Sequence, residues 1–353
     1  DGAAYETTNS YENPQPHACF IQPISDNLIE DGGIFDLLKK EARLFKHGSG
    51  TGTNFSNLRG KSEKLSGGGI SSGLMSFLKI FDTAAGSISS GGVTRRAAKM
   101  VCLNLDHPEI EDFIDWKMNE EAKAASLYVG SKYIDRIGKG LLSDSPDDIP
   151  RAIIDRHNNG FETKIYDLNF EGEAINTVSA QNANNSIRIT YAFLHMVDSN
   201  GDWALINRKD GSLNKKIKAR DLWDKITRAA WACGDPGLLF DDTINEWHTC
   251  KSDGRINACN PCGEYQFLDN TACNLASLNL GKFLKGSVFQ IKDFEHATRL
   301  WTIVLEISVY MASFPSREIA ENSYAYRTLG LGYANLGGML MRLGLGYDSD
   351  EGR

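Results

Sequence analysis

Amphipathic helical segments alternate along this chain with short apolar runs, and this alternation limits the fold more than any other feature. The helical segments place apolar residues on one stripe, as a helix with one buried face requires. They are residues 33–45, 73–88 and 221–234, and Asp221 is placed to cap the third. Residues 300–314 are the most apolar stretch of the chain, which predicts a further, buried helix.

The apolar runs between these helices have the length and composition of buried strands. They are residues 17–24, 99–105 and 184–193. Strands separated by helices are typical of βαβ units, so the sequence predicts an α/β fold with a mostly parallel sheet. At 353 residues, either two domains or one large α/β barrel would fit.

Charge and composition argue against several classes of protein. The formal net charge of −8 disfavours a broad nucleic-acid or anionic-membrane surface, because both need clustered cations. No apolar run reaches the roughly eighteen residues of a membrane span, and no signal peptide is visible. Seven irregularly spaced cysteines favour free thiols in a reducing cytoplasm over a disulfide scaffold. Because the chain starts without Met, we expect a fragment truncated at both ends.

Three of the seven cysteines fall within "NACNPCGEYQFLDNTACNLASLNL", residues 257–280, which also holds Glu264. One explanation is a zinc site, with a loosely ligand-like spacing of His, Cys and a C-x-x-C pair. Its ligands would be His248, Cys250, Cys259 and Cys262. A second explanation is buried core thiols, which the apolar surroundings favour for Cys102 and Cys233.

A third explanation is that cysteines in this segment carry out chemistry. Pro261 biases the residue before it towards an extended backbone, in which alternate side chains share a face. Asn260, Cys262 and Glu264 would then present an amide, a thiol and a carboxylate to one ligand. The amide can orient a hydroxyl, and the carboxylate can take its proton. The thiol between them could be a nucleophile, a redox sulfur or a hydrogen-atom acceptor.

Several motifs, in order, resemble the catalytic subunit of ribonucleotide reductases. They are "PQPHACF", "EARLFKHGSGTGTNFSNLRG", "SGGGISSGLMSFLKIFDTAAGSISSGGVTRRAAKM", "LDHPEIEDFIDWK", "SAQNANNSIRIT", "DPGLLFDDTINEWHTC", "NPCGE", "DNTACNLASLNL" and "YRTLGLGYANLGGMLMRLGL". "NPCGE" is similar to the adenosylcobalamin-dependent class II enzymes, whereas class I subunits usually carry leucine in place of Pro261. A class I large subunit and a zinc-stabilised nucleotide-binding module without reductase activity stay open as alternatives.

The resemblance implies a role for each residue of the reaction centre. A thiyl radical on Cys262 would remove the 3′ hydrogen of a ribonucleotide, Glu264 would take the 3′-OH proton, and Asn260 would hold the sugar hydroxyls. Cys19 and Cys273 would supply the reducing equivalents and end as a disulfide. Their Cα atoms must then lie about 4.4–6.8 Å apart.

The resemblance also implies binding residues for substrate and for a deoxynucleoside triphosphate effector. Substrate contacts would come from Ala18, Cys19, Gly50, Asn260, Pro261, Cys262, Gly263 and Glu264. Effector contacts would come from Asp26, Asn27, Leu28, Arg59, Arg95 and Arg96, with Lys99 in the same loop as the last two. Residues 179–186, here called the specificity loop, would connect the two sites through Ser179, Gln181, Asn182, Asn184 and Asn185.

The fold implied by the resemblance is a ten-stranded α/β barrel, of which residues 1–353 would be a partial domain holding the N-terminal half and the finger loop. The implied cofactor is adenosylcobalamin, with no protein-bound metal. The implied partners are a ribonucleoside di- or triphosphate, the effector and a thioredoxin-like reductant acting through a C-terminal tail, and the resemblance allows a homodimer. Since the second half-barrel and that tail would lie beyond residue 353, we expect this polypeptide alone to be inactive.

Overall fold

The structure, a computed structural model, describes residues 14–88, 97–138, 153, 156–160, 164–169 and 172–353. The strands are β1 (His17–Ile21), β2 (Gly50–Asn54), β3 (Ala98–Asn104), β4 (Asn184–Ile189), β5 (Asp202–Ile206), β6 (Leu213–Lys218), β7 (Gly237–Phe240), β8 (Ala258–Cys259), β9 (Gln266–Phe267), β10 (Thr271–Asn279), β11 (Leu284–Lys285), β12 (Val288–Phe289) and β13 (Leu329–Ala334). The helices are α1 (Ile34–Lys46), α2 (Leu74–Ser87), α3 (Ile110–Gly138), α4 (Glu173–Asn176), α5 (Tyr191–Asp198), α6 (Ala219–Cys233), α7 (Asp241–Glu246), α8 (Ile291–Met311), α9 (Arg317–Tyr326) and α10 (Leu336–Leu343).

The chain divides into two compact units. The first comprises Asp1–Asn54, Ile88–Met100 and Ile244–Arg353, and the second comprises Phe55–Ser87 and Val101–Thr243. Strand β3 takes part in both, because the division falls between Met100 and Val101. Strand order is β13-β10-β1-β2-β3 in the first unit and β3-β4-β7 in the second.

The predicted α/β class is confirmed, and the pairing is mostly parallel as expected. Strands β1 and β2, β10 and β13, and β4 and β7 pair in parallel. Strand β10, in contrast, runs antiparallel to β1. This pair therefore joins two groups of parallel strands that point in opposite directions.

The predicted helices and strands are present, with two corrections. Asp221 does not cap α6, since the capping position is Lys218 and Asp221 lies in the first turn. Helix α8 covers the apolar run near residue 300, but only Leu305 and Val309 of that helix are buried, whereas Tyr310 is 61% exposed. The apolar sequence thus predicted the presence of this helix correctly, but the prediction that the helix is buried is wrong.

Two glycines of β2 allow the chain to pass close over this strand. A Cβ atom at Gly52 would lie 1.7 Å from the carbonyl oxygen of Cys259, and one at Gly50 would lie 2.9 Å from Cγ of Pro261. No larger residue fits at Gly52 without backbone movement, because the obstacle is itself a backbone atom. The "GTGTN" sequence of β2 thus makes room for the segment from Cys259 to Pro261.

Each unit has its own apolar core. In the first unit, β1, β10 and the helices around them contribute a buried cluster made of Phe20, Leu44, Ala272, Ala312, Phe314, Ile319 and Ala320. In the second unit, Phe55 packs edge-on against Phe81, with ring centroids 5.2 Å apart, and Phe193 packs in the same way against Trp203. Among the helices of the described ranges, none is long and apolar enough to cross a membrane.

Replacing Gly52 by alanine is expected to lower the free energy of unfolding by about 1–3 kcal/mol, since the added methyl group collides with the Cys259 carbonyl. Gly130→Ala is the matched control, because Gly130 lies inside α3 with open space around it. It should stabilise the protein by about 0.5–1 kcal/mol. Urea unfolding of both variants measures the difference, and a neutral Gly52→Ala would contradict this account of β2.

Candidate active site

Cys19 and Cys273 lie directly opposite each other on neighbouring strands. In the register of β1 and β10, Cys19 pairs with Cys273 and Phe20 pairs with Ala272. The register shifts between His17 and Cys19, which leaves Ala18 as the extra residue of a β-bulge. Opposite residues of an antiparallel pair have Cα atoms about 4.5–5.5 Å apart, which lies within the disulfide range. The spatial condition on these two cysteines is therefore met, and both are free thiols.

The "NPCGEY" segment forms the loop of a short hairpin between β8 and β9. The amide of Asn260 donates to the carbonyl of Tyr265, and the amide of Tyr265 donates back to Oδ1 of Asn260, at 3.2 and 2.9 Å. Inside this loop, the amide of Gly263 donates to the carbonyl of Asn260, and Gly263 has a φ of +83°. The loop is thus held closed by its own first and last residues.

The extended backbone predicted for residues 260–264 is wrong. The hydrogen bond from Gly263 to Asn260 closes a turn with Pro261 in its second position, where the fixed φ of proline is favourable. As a result, Asn260 is buried, whereas Cys262 and Glu264 are exposed. Side chains do not alternate along this segment, because Gly263 adopts a left-handed conformation that ends the extended backbone.

Two of the predicted residues form hydrogen bonds with one sulfur atom, Sγ of Cys19. Nδ2 of Asn260 donates to Sγ of Cys19 at 3.0 Å, and the Cys19 thiol donates to Oε1 of Glu264 at 3.4 Å. Because Cys19 also faces Cys273 across the strands, the amide, the carboxylate and both thiols belong to one site. All of these residues lie in the first unit.

Burial keeps both strand thiols protonated. It raises the pKa of Cys19 to about 12, with a further contribution from the negative charge of Glu264. Burial and then the same carboxylate raise the pKa of Cys273 to about 12. At neutral pH these cysteines are therefore proton donors and poor nucleophiles.

Cys262 differs from this pair in being exposed. It lies in the turn of the hairpin, and a Cβ atom at the neighbouring Gly263 would meet nothing within 4 Å. A reactant approaching the turn from outside can therefore reach the Cys262 thiol.

Sequence reasoning missed Tyr265 and its partners. The buried Tyr265 hydroxyl donates to Oγ1 of Thr271 at 2.8 Å and lies 3.1 Å from Oγ1 of Thr328. Oγ1 of Thr328 in turn donates to the carbonyl of Ala272. These bonds anchor the hairpin loop to β10, beside Cys273. In the sequence, this anchor was indicated only by the tyrosine directly after Glu264. Thr328, which pairs with Tyr265, is 63 positions away and could not be inferred.

Gly330 and His17 were also missed. A Cβ atom at Gly330 in β13 would lie 3.3 Å from Sγ of Cys273, so glycine allows this strand to approach the thiol closely. His17 is buried against Phe314, with ring centroids 4.8 Å apart, and burial lowers its pKa to about 4. It stays neutral at physiological pH.

The predicted effector residues fall into separate regions. Asn27 and Leu28 lie in the loop before α1, where their carbonyls accept from the amides of Ile34 and Phe35, and Leu28 is 50% exposed. Asp26 precedes them and is half-buried.

The cationic residues predicted near the effector lie in different parts of the chain. Arg59 lies in the second unit and donates to the carbonyl of Lys64 at 3.1 Å. Arg95 and Arg96 lie outside the described residues. Lys99, predicted in a loop with these two arginines, lies instead in β3, where it forms a buried salt bridge with Glu41 of α1.

The specificity loop lies in the second unit and is fixed at its start. Oγ of Ser179 accepts from the Trp116 indole at 3.0 Å, and Nε2 of Gln181 donates to the Ser179 carbonyl at 3.2 Å. Asn184 is exposed, whereas Asn185 is buried at the start of β4. Asn182 is bonded through its main chain to a buried carboxylate.

The zinc alternative receives no support from the geometry. Within the described ranges, which include all seven cysteines, no group of three or more His, Cys, Asp or Glu side chains could hold a metal ion. His248 instead packs edge-on against Phe267, with ring centroids 5.8 Å apart. Cys102 is buried as predicted, while Cys233 is half-buried.

We expect Cys262 to be alkylated by iodoacetamide much faster than Cys19 or Cys273. The strand thiols are only 4% and 5% exposed, and a pKa of about 12 leaves about one thiol in 10⁴ ionised at about pH 8. Peptide mass spectrometry of the native protein gives the rates, with buried Cys102 as the internal control. Modification of Cys19 as fast as Cys262 would show that the pair is not enclosed.

Comparison with known proteins identifies the family to which the chain belongs. A family model described as "Ribonucleotide reductase, barrel domain" matches residues 17–353. The chain is 54% identical to a vitamin B12-dependent ribonucleotide reductase of Agrobacterium fabrum and 52% identical to one of Bradyrhizobium diazoefficiens, over its whole length. It is 34% identical, over 94% of its length, to a vitamin B12-dependent ribonucleoside-diphosphate reductase of Mycobacterium tuberculosis. The chain spans 30%, 31% and 39% of these relatives. The matched family model and these identities establish that the chain belongs to the ribonucleotide reductase family, within its barrel domain.

Proposed function

We propose that this chain forms part of the catalytic centre of a cobalamin-dependent ribonucleotide reductase, which makes deoxyribonucleotides for DNA synthesis. The observation that carries the proposal is the position of Cys19, opposite Cys273 and hydrogen-bonded to both Asn260 and Glu264. Two buried thiols, an amide and a carboxylate are the groups that removal of a sugar hydroxyl requires.

In the proposed reaction, a thiyl radical on Cys262 takes the 3′ hydrogen atom of the ribose, which leaves a carbon radical at C3′ and a thiol on Cys262. The two bond strengths are close, so the protein need only position the atoms. Glu264 accepts the 3′-OH proton, and Asn260 orients the sugar hydroxyls. The carboxylate next to Cys19 is consistent with this role.

The 2′-hydroxyl then leaves as water, with a proton from the Cys19–Cys273 pair. The pair gives up two electrons and its second proton to the sugar and becomes a disulfide, while Glu264 returns its proton to the 3′ oxygen. The Cys262 hydrogen atom then returns to C3′, which restores the thiyl radical on Cys262. In sum, one ribonucleotide and two thiols yield one deoxyribonucleotide, one water and one disulfide. The raised pKa values of both thiols support this assignment, because a proton donor must hold its proton until the hydroxyl leaves.

We assign adenosylcobalamin as the cofactor, from the names of the relatives and the NPCGE sequence. When bound, it would supply the radical by homolysis of its cobalt–carbon bond. The exposed Cys262 thiol and the open space beside Gly263 fit a large group that approaches this turn. Pro261, packed over Gly50, argues against the class I alternative, in which leucine is usual at that position.

The remaining proposals concern substrates and partners. The substrate would be a ribonucleoside di- or triphosphate, bound at Ala18, Gly50 and the hairpin loop. A deoxynucleoside triphosphate effector would select the base through Asp26–Leu28, Arg59 and the specificity loop. A thioredoxin-like protein would reduce the disulfide, the enzyme would be cytoplasmic, and a homodimer is compatible with it.

Oxidation to equilibrium in a glutathione redox buffer is expected to join Cys19 to Cys273 and leave Cys102 free, because Cys19 and Cys273 are opposite partners in the β1–β10 register and an equilibrium does not depend on how slowly buried thiols react. Non-reducing peptide mapping identifies the bond. Cys273→Ser is the control and should abolish it without creating another disulfide at Cys19. A Cys19–Cys259 or Cys19–Cys262 bond as the main product would contradict the proposed redox pair.

Cys262→Ser, in a protein of the relatives' full length, should lower deoxyribonucleotide formation at least about 10³-fold. A serine hydroxyl cannot form the radical, yet it preserves the shape of the turn. Binding of nucleotide, measured by calorimetry, should stay unchanged. The half-buried Cys250→Ser is the matched control and should keep its turnover. Turnover that survives in Cys262→Ser would disprove the radical role.

A further inference from the structure

The hydroxyl of Tyr265 belongs to a network of three hydroxyl groups at the end of the hairpin loop, and the mechanism above does not use it. It donates to Oγ1 of Thr271 at 2.8 Å and lies 3.1 Å from Oγ1 of Thr328. Thr271 donates to the carbonyl of Leu268 at 2.5 Å, and Thr328 donates to the carbonyl of Ala272 at 2.6 Å. Because each threonine gives its one hydrogen to a carbonyl, both threonine oxygens are left as acceptors for the tyrosine hydroxyl.

This network is enclosed, which makes it persistent. Tyr265 is buried, and Thr271 has no exposed surface at all. Burial raises the pKa of Tyr265 above its ordinary value, so the phenol keeps its hydrogen at physiological pH. The bond from Tyr265 to Thr271 is therefore a fixed link between the hairpin loop and the first residue of β10.

The main chain of Tyr265 fixes the side chain of Asn260. Its N–H donates to Oδ1 of Asn260 at 2.9 Å. Since an N–H group can bond only to the oxygen end of an amide, the NH₂ end of Asn260 must turn the other way, where it donates to Sγ of Cys19 at 3.0 Å. Glu264, directly before Tyr265 in the chain, accepts from the same thiol at 3.4 Å. Both groups that bond to the Cys19 thiol are thus adjacent to Tyr265, one through a hydrogen bond and one through the chain.

We infer that Tyr265 is a positioning residue, whose hydroxyl holds the hairpin loop at the distance from β1 that the contacts of Asn260 and Glu264 with the thiol require. The inference rests on the proposed function, in which these two residues act on the ribose. The Tyr265 hydroxyl makes and breaks no bond in that reaction, because its hydrogen is already given to Thr271. It acts through the two residues beside it.

The test is Tyr265→Phe in this chain, which removes one oxygen atom and keeps the stacking of the ring on Phe267. The S–H stretch in the infrared spectrum reports on the Cys19 thiol, and Cys19→Ser identifies its band. The band should move to higher frequency in Tyr265→Phe, because the bond from the thiol to Glu264 weakens when the loop is released. A merely structural role would lower the free energy of unfolding and leave the band of the folded protein in place.

Substitutions of Thr271 test the same hydrogen bond from its other end. Thr271→Val removes the acceptor and should also shift the Cys19 band, whereas Thr271→Ser keeps a hydroxyl and should leave the band where it is. If the two residues act through one bond, adding Tyr265→Phe to Thr271→Val should shift the band no further. If Tyr265→Phe does not fold, the comparison of Thr271→Val with Thr271→Ser decides.

Tyr326→Phe is the matched control. Tyr326 also packs against Phe267, with ring centroids 5.4 Å apart, but its hydroxyl donates to Asp253 at 3.0 Å. Its loss should leave the Cys19 band unchanged. In a protein of the relatives' full length, Tyr265→Phe should lower turnover about tenfold or more, since displaced groups no longer meet the substrate in reactive geometry. Tyr326→Phe should keep its turnover.

A Cys19 band at the wild-type frequency in folded Tyr265→Phe would overturn the inference, and so would wild-type turnover in this variant. If Tyr265→Phe does not fold, a wild-type band in Thr271→Val has the same meaning. These outcomes leave the proposed reaction intact. Turnover in Cys262→Ser would instead overturn the reaction, whatever the position of the Cys19 band.

Discussion

The antiparallel pairing of β1 with β10 is the constraint on which the proposed site depends. The neighbouring pairs β1–β2 and β10–β13 are parallel, so this junction alone sets the two distant cysteines face to face. In antiparallel pairs, opposite side chains lie on the same face of the sheet, which directs both thiols to the same side. A slip of one residue would turn one cysteine to the other face. The bulge at Ala18 is part of the same register, because it adjusts β1 directly before Cys19.

The second requirement is that the hairpin loop lies close over this junction, and small residues make that possible. Gly52 and Gly50 of β2 leave room for the backbone of Cys259 and the ring of Pro261. At the end of the loop, the Tyr265 hydroxyl forms hydrogen bonds with Thr271 and Thr328.

This position of the loop brings Asn260 and Glu264 within hydrogen-bond distance of Cys19. The carboxylate has two effects: it accepts from the thiol, and its charge helps to keep the pKa of both strand thiols high. Packing and electrostatics thus favour the same reduced, protonated pair.

Much of the fold could be predicted from the sequence, because helical and strand periodicity record which faces are buried. The motifs identified the family and, through it, the pairing of Cys19 with Cys273, which no local pattern could have supplied. Local reasoning failed at residues 260–264, where one glycine with positive φ converts an extended segment into a turn. It also failed for the exposed face of α8, since hydrophobicity alone does not say what a helix packs against. The contacts of Tyr265 with Thr328 and of Asp82 in α2 with Asn182 depend on tertiary structure and had no sequence signal.

The central claim, that Glu264 and Cys19 share a hydrogen bond beside the thiol pair, is tested most directly by infrared spectroscopy of the S–H stretch. The Cys19 band is the one that disappears in Cys19→Ser. A thiol is a weak donor, and a carboxylate acceptor strengthens the bond and lowers the stretching frequency. The account predicts a low-frequency Cys19 band that moves to higher frequency in Glu264→Ala, while the Cys102 band stays in place. A Cys19 band with the same frequency in both proteins would contradict it.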